Sequence, residues 1–120
     1  MYEVAVTAQF SAAHQLRGHW GPCKDLHGHN WTVEAAFAAK KLDKHGMVVD
    51  FHHVKEQLNR LMNMLDHKII NEIPPFTEWD PTAERIAEWF FKELKKSLKV
   101  SPSYVTIYET DHAWATYRAK

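Results

Sequence analysis

The order of predicted elements indicates an α+β fold in which a four-stranded antiparallel sheet carries two helices on one face. Alternating apolar and polar residues predict two strands near the start of the chain and two near its end. Two segments with apolar residues at helical spacing lie between them. Strands that follow one another directly favour antiparallel pairing, so the predicted order is β-β-α-α-β-β.

The first two strands are predicted from period-two alternation. Over residues 2–10 the even positions are apolar, and residues 27–39 again place apolar side chains on one face and polar ones on the other. Residues 11–26 contain two glycines and a proline, which predicts a long loop between the strands. A turn is expected at residues 43–46, with a small additional pairing near Met47.

The first helix is predicted over residues 51–64, with Asp50 as its N-cap. Its apolar residues recur at spacings of four, three and four, which is the stripe of a helix with one buried face: Val54, Leu58, Leu61 and Leu65. Residues 66–79 include two adjacent prolines and are predicted as a loop.

The second helix is predicted to begin with Asp80 as cap and Pro81 as its first residue, because proline suits that position. It should end before residues 101–103. The segments 104–110 and 113–118 are predicted strands separated by two residues, which favours a hairpin.

Composition limits the classes of function. The 120 residues predict a single domain over residues 1–120. Fifteen basic and fifteen acidic residues give a net charge of zero, which disfavours nucleic acids and anionic membranes as partners. A single cysteine and an N-terminus unlike a signal peptide predict a cytoplasmic location. Five Trp, four Tyr and six Phe suggest apolar surface shared with another subunit.

Three histidines form the main candidate site. His27 and His29 are two residues apart on a predicted strand, so both imidazoles point to one face. If the first two strands pair, His14 comes close to them. Three neutral imidazoles with an open fourth position are typical of a catalytic zinc site. The alternative is that His27 and His29 are two partly buried histidines without a ligand.

Other reactive residues stand near this group in sequence or on its predicted face. Cys23, four residues before His27, can be read as a fourth zinc ligand, an acid–base or nucleophilic thiol, or an inert buried cysteine. Asp66 and His67 can form a carboxylate–imidazole pair or simply a polar end of the first helix.

Glu109 shares strand parity with Val105 and Ile107. On a buried face such a carboxylate should be paired or functional, for example by accepting two N–H groups from a pterin or guanine edge. If that face is the less buried one, Glu109 is merely solvated.

Taken together and in this order, the motifs resemble the 6-pyruvoyl-tetrahydropterin synthase family, and within it the bacterial and archaeal 6-carboxy-5,6,7,8-tetrahydropterin synthases. The resemblance covers nearly the whole chain, and the Cys-x3-His-Gly-His spacing is its most discriminating detail. The matching motifs are Phe10-Ser11-Ala12-Ala13-His14, Cys23 through Asn30, Val49-Asp50-Phe51, Leu65-Asp66-His67, Pro81-Thr82-Ala83-Glu84 and Tyr108-Glu109-Thr110. This chain has Lys24-Asp25 where some relatives have Gly-Arg. If that arginine contacts the triphosphate in those relatives, the resemblance does not imply the same contact here.

The resemblance implies the tunnelling fold, in which subunits join their sheets into a barrel, usually as a hexamer of two trimers with active sites between subunits. It implies Zn²⁺ as cofactor. The implied roles are zinc ligation by His14, His27 and His29, general-base catalysis by Cys23, proton transfer by Asp66 and His67, and pterin anchoring by Glu109.

The implied reaction is carbon–carbon cleavage. A zinc-dependent lyase would convert 7,8-dihydroneopterin triphosphate to 6-carboxy-5,6,7,8-tetrahydropterin, acetaldehyde and triphosphate, in 7-deazapurine (queuosine) biosynthesis. Alternatives are 6-pyruvoyl-tetrahydropterin formation by triphosphate elimination, side-chain cleavage to a hydroxymethyl pterin, or a non-catalytic oligomer that binds zinc or a pterin.

Overall fold

The computed structural model describes residues 1–18 and 24–119, and its elements follow the predicted order. They are strands β1 (Tyr2–His14) and β2 (His27–Ala39), helices α1 (Phe51–Leu65) and α2 (Ala83–Ser97), and strands β3 (Tyr104–Thr110) and β4 (Ala113–Arg118). The sheet order is β1-β2-β3-β4, with every neighbouring pair antiparallel. The predicted α+β architecture is therefore confirmed.

Both helices pack against the same face of the sheet and form the core with it. α1 contacts β1, and α2 contacts β3 and β4. The predicted leucine stripe of α1 is buried, and Asp50 caps this helix by accepting the N–H of His52 at 2.9 Å. Trp31 and Phe37 of β2 are fully buried beneath the helices. Within the described parts of the chain, no helix has the length and apolar character needed to cross a membrane.

Strand β1 is longer than predicted. It continues past residue 10 to His14, which pairs with His27, so the loop between the strands begins later than expected. The segment after Phe10 contains small residues whose hydrophobic pattern is weak, but their backbone pairs with β2 throughout. His14 is consequently held on a strand instead of on a loop.

The start of the second helix also differs from the prediction. α2 begins at Ala83, and its N-cap is Thr82, whose Oγ1 accepts the N–H of Arg85 at 3.2 Å. The Asp80 carboxylate is not the cap because it accepts the N–H of Gly18 and an N–H of the Arg17 guanidinium, each at 3.2 Å. Pro81 therefore lies before the helix, and its carbonyl oxygen can accept a hydrogen bond from a residue outside the helix.

Two shorter segments also differ from the predictions, one near Met47 and one between the two helices. Near Met47 the described chain forms a turn in place of the expected strand pairing, because the Asp43 N–H donates to the Met47 carbonyl at 2.9 Å. The predicted loop between the helices contains a short 3-10 helix at Ile70–Glu72.

The face of the sheet away from the helices carries polar and aromatic side chains. The Tyr104 hydroxyl donates to Glu34 at 2.7 Å, and this hydrogen bond, together with burial and the charge of Glu34, raises the pKa of Tyr104 to about 12. Tyr108 packs against Trp114, which is 57% exposed. Aromatic side chains therefore lie on the face of the sheet that the helices leave uncovered as well as in the core.

Candidate metal centre

Four potential metal ligands from three neighbouring strands converge at one end of the sheet. His14 ends β1, His27 and His29 begin β2, and Glu109 lies near the end of β3. Their candidate ligand atoms all lie within 4.8 Å of one another. These four residues, called the four-residue cluster below, can hold a metal ion.

The cluster follows from strand register and parity. His14 is the Cα partner of His27, and His29 lies two residues further along the same face of β2. On β3, Val105 and Ile107 are fully buried, so the face they share with Glu109 is the core face. The interpretation of Glu109 as a solvated residue on a less buried face is therefore wrong.

The ligand atoms are close enough to share one ion. His14 Nε2 lies 3.0 Å from His27 Nε2 and 3.3 Å from Glu109 Oε1. Glu109 Oε1 also lies 3.6 Å from His29 Nε2. The His14 side chain is fully buried, whereas the Glu109 side chain is 32% exposed, so the cluster is accessible from the glutamate side.

Backbone carbonyls set the tautomers of two imidazoles. His14 Nδ1 lies 2.8 Å from the Pro81 carbonyl oxygen, and His27 Nδ1 lies 2.7 Å from that of Asp25. A carbonyl oxygen can only accept, so both Nδ1 atoms carry the proton. In the neutral imidazoles, both Nε2 atoms then present lone pairs to each other, an arrangement that a bound cation would stabilise.

The chemistry of the remaining donors also fits a metal ion. His29 Nε2 is buried and has no hydrogen-bond partner among the described residues. Burial lowers the pKa of both His14 and His29, with the neighbouring His27 acting in the same direction. Neutral imidazoles are the form that binds metal ions, so this environment favours ligation over protonation.

Trp31 forms one wall of the cluster. Its indole N–H donates to the Ala12 carbonyl at 3.1 Å, and its ring meets the rings of His14 and His29 edge-on, with centroids 4.8 and 5.2 Å away. This role of Trp31 was not predicted, although Trp31 continues the parity of His27 and His29. The contacts of the Pro81 and Asp25 carbonyls were not predicted either, because side-chain patterns give no signal for them.

Asp66 and His67 form the predicted carboxylate–imidazole pair, at 3.0 Å between Oδ2 and Nδ1. The other carboxylate oxygen accepts the Ser11 N–H at 2.9 Å; this hydrogen bond and the one from His67 hold the pKa of Asp66 below its usual value. His67 has a left-handed backbone, with φ of 58°, and its N–H donates to the Ser11 carbonyl.

The pair lies outside the four-residue cluster. The His67 side chain is 81% exposed and lines an open cavity of about 460 Å³ together with Ser11, Gly28 and Asn30. Cys23 lies outside the described residues, so its predicted role as general base stays a prediction.

Comparisons with known proteins assign the family. The model for 6-pyruvoyl tetrahydropterin synthase matches residues 3–120. The chain belongs to this family. It is 35% identical over 116 residues to a putative 6-carboxy-5,6,7,8-tetrahydropterin synthase from Archaeoglobus fulgidus, covering 96% of this chain and 94% of that protein. It is 36% identical over 113 residues to the 6-carboxy-5,6,7,8-tetrahydropterin synthase of Synechocystis sp. This match covers 90% of this chain and 86% of that protein.

A solved structure supports the fold assignment. The 6-pyruvoyl tetrahydropterin synthase of Caenorhabditis elegans superposes with a TM-score of 0.89 at 25% identity, over 99% of this chain and 96% of that one. The predicted family and its tunnelling fold are confirmed. Family and relatives together identify this chain as an enzyme of the lyase class.

Proposed function

We propose that this chain is a zinc-dependent lyase acting on 7,8-dihydroneopterin triphosphate. With one water, the reaction yields 6-carboxy-5,6,7,8-tetrahydropterin, acetaldehyde and triphosphate, for the synthesis of 7-deazapurine (queuosine-type) bases. The observation that carries the proposal is the convergence of three imidazole Nε2 atoms beside a carboxylate at the end of the sheet. The names of the relatives from Archaeoglobus fulgidus and Synechocystis sp. support the carboxylated product.

His14, His27 and His29 are the proposed zinc ligands. Imidazole nitrogen is a preferred ligand of zinc, and three such ligands with a further position for substrate are typical of catalytic sites. When bound, zinc supplies a Lewis acid that acidifies the hydroxyl-bearing carbons of the side chain. The carbonyls of Pro81 and Asp25 keep two of the imidazoles in the ligating tautomer.

Cys23, Asp66 and His67 are the proposed proton-transfer residues. Cys23 as a thiolate takes a proton from the substrate side chain, and His67 returns one. Asp66 accepts from Nδ1 of His67, which leaves Nε2 as the atom that exchanges protons. The 81% exposure of His67 supports a role at a site formed with a second subunit.

Glu109 is the proposed pterin anchor. A carboxylate can accept the 2-amino group and the adjacent ring N–H of a pterin in a paired, charge-assisted contact. The Glu109 side chain is 32% exposed, so a ring that binds from outside the cluster can reach its carboxylate.

A homo-oligomer, specifically a hexamer of two trimers, is the proposed assembly, and the cytoplasm the proposed location. The exposed Trp114 on β4 and the 50% exposed Tyr2 on β1 lie on the two edge strands of the sheet, where subunits would pair.

Product analysis tests the proposal. Zinc-loaded protein is incubated with 7,8-dihydroneopterin triphosphate, and the pterin product is read by mass spectrometry, with Cys23→Ala as the inactive control that should retain zinc. A 6-carboxy-tetrahydropterin mass supports the proposal. A pyruvoyl or hydroxymethyl product assigns a sister reaction, and no product from the zinc-loaded oligomer favours the non-catalytic alternative.

A further inference from the structure

We propose that Asp80 is a positioning residue of the candidate metal centre, because its contacts fix the Pro81 carbonyl that orients His14. Asp80 is not a member of the four-residue cluster and acts through Pro81. This inference rests on the metal site of the proposed function, and it leaves the proposed ligands and the reaction unchanged.

The Pro81 carbonyl is available to His14 because of the way α2 begins. In a helix that began one residue earlier, this oxygen would accept the N–H of Arg85, four residues further on. Here Oγ1 of the cap residue Thr82 accepts that N–H at 3.2 Å, and the Pro81 oxygen lies 2.8 Å from His14 Nδ1 instead. His14 is fully buried, so the orientation of its ring depends on this contact.

The backbone of Asp80 fixes the direction of the Pro81 carbonyl. The Asp80 carbonyl accepts the N–H of Thr82 at 2.9 Å, which closes a tight turn centred on Pro81. Nη1 of Arg85 donates to the same oxygen at 3.2 Å. The proline ring restricts its own φ, so both peptide groups that flank Pro81 are held in place.

The Asp80 carboxylate attaches this turn to the chain that follows β1. Its oxygens accept the N–H of Gly18 and the Nε–H of Arg17, each at 3.2 Å. Burial opposes ionisation of Asp80, but these hydrogen bonds outweigh burial and lower its pKa below the usual value. His14 ends β1 three residues before Arg17, so the contact ties the imidazole and the Pro81 carbonyl to each other from both sides.

Loss of this attachment should affect the metal site more than the fold. The ion pair of Asp80 with Arg17 is partly exposed, and such pairs contribute little to stability. A displaced Pro81 carbonyl, however, would no longer hold the proton on Nδ1 of His14, and only that tautomer presents the Nε2 lone pair to the cluster.

Two measurements on four proteins test the inference. Wild type, Asp80→Ala, Asp80→Asn and the control Asp43→Ala are compared. The first measurement is the His14 Nδ1–H signal of the zinc-free, ¹⁵N-histidine-labelled protein in NMR spectra. The second is zinc affinity, measured by competition with a chelator. Circular dichroism and the melting temperature report on folding.

Asp43 provides a matched control because its carboxylate has the same kind of structural role elsewhere. It accepts the N–H of His45 at 2.8 Å and that of Met47 at 3.0 Å, in a turn that follows the end of β2 away from the cluster. Asp43→Ala therefore removes two backbone hydrogen bonds to a carboxylate without touching the chain around His14.

Asp80→Ala should bind zinc about 10-fold more weakly, which is the lower end of the effect of removing a hydrogen-bond partner of a metal ligand. Its His14 Nδ1–H signal should broaden or vanish, because the proton exchanges faster with water. Asp80→Asn keeps one oxygen for the N–H of Gly18, so both readouts should lie between those of wild type and Asp80→Ala. Asp43→Ala should match wild type in both.

Two results would overturn the inference. One is a wild-type zinc affinity together with a wild-type His14 signal in folded Asp80→Ala, or in Asp80→Asn if the alanine variant does not fold. The other is an equal loss of affinity in Asp43→Ala, which would trace the effect to general destabilisation. If wild type binds no zinc, the proposed metal site fails, whereas loss of the His14 signal confined to the Asp80 variants still supports the positioning role.

Discussion

Zinc should raise the melting temperature of this protein strongly, and His27→Ala should abolish the effect. The four-residue cluster joins β1, β2 and β3, so its ligand geometry exists only when these strands are paired. An ion that binds the folded chain and not the unfolded one stabilises the fold by mass action.

The size of the shift follows from the ion concentration and the chain length. At a free zinc concentration 100 times the dissociation constant, the stabilisation is about 2.7 kcal/mol. The unfolding entropy of a chain of 120 residues is about 0.25 kcal/mol per kelvin near 60 °C. The melting temperature should therefore rise by about 11 °C, and by about 5 °C for each further tenfold increase in zinc.

Differential scanning calorimetry over a series of buffered zinc concentrations measures this shift. His53→Ala is the matched control, because His53 is an exposed histidine in the first turn of α1. It should shift like wild type. A zinc-dependent rise that is equally large in His27→Ala, or absent from wild type, would refute the assignment of these histidines as ligands.

Two further predictions concern local structure. Thr82→Ala should lower the free energy of unfolding in urea by about 1 kcal/mol, because it removes the cap of α2, and a loss of under about 0.2 kcal/mol would contradict the cap assignment. Asp66 has a lowered pKa in the folded state, so its contribution to stability is complete above its unfolded pKa near 3.8 and is lost as pH falls through the folded value. The melting temperature of wild type should therefore exceed that of Asp66→Ala by a constant margin above about pH 5, and the margin should close below about pH 4. A margin unchanged down to pH 3 would count against the hydrogen bond to Ser11 as its source.

Much of the candidate site could be predicted because it depends on strand parity. His27 and His29 share a face wherever the second strand is regular, and pairing of the first two strands brings His14 to them. Parity also placed Glu109, once the burial of Ile107 decided which face of β3 meets the core. These relations require only the period of a strand and the order of the elements.

The wrong start of the second helix and the wrong end of the first strand share a physical cause, which is that partners distant in sequence decide local structure. Asp80 followed by proline satisfies the local pattern of a helix start, but Gly18 and Arg17 engage its carboxylate. Thr82 is then the cap. Likewise, the backbone carbonyl of Pro81 orients His14, although the two residues are 67 positions apart in the sequence. The pattern of side chains along the sequence does not predict a contact with a backbone carbonyl.

The left-handed backbone of His67 affects which residue types are favourable at this position. A residue other than glycine in the left-handed region costs about 1–2 kcal/mol, which glycine would relieve at a cost of about 0.5–1 kcal/mol in chain entropy. The exposed ion pair with Asp66 offsets little of this difference. Fold stability alone therefore gives no reason to prefer histidine over glycine at residue 67.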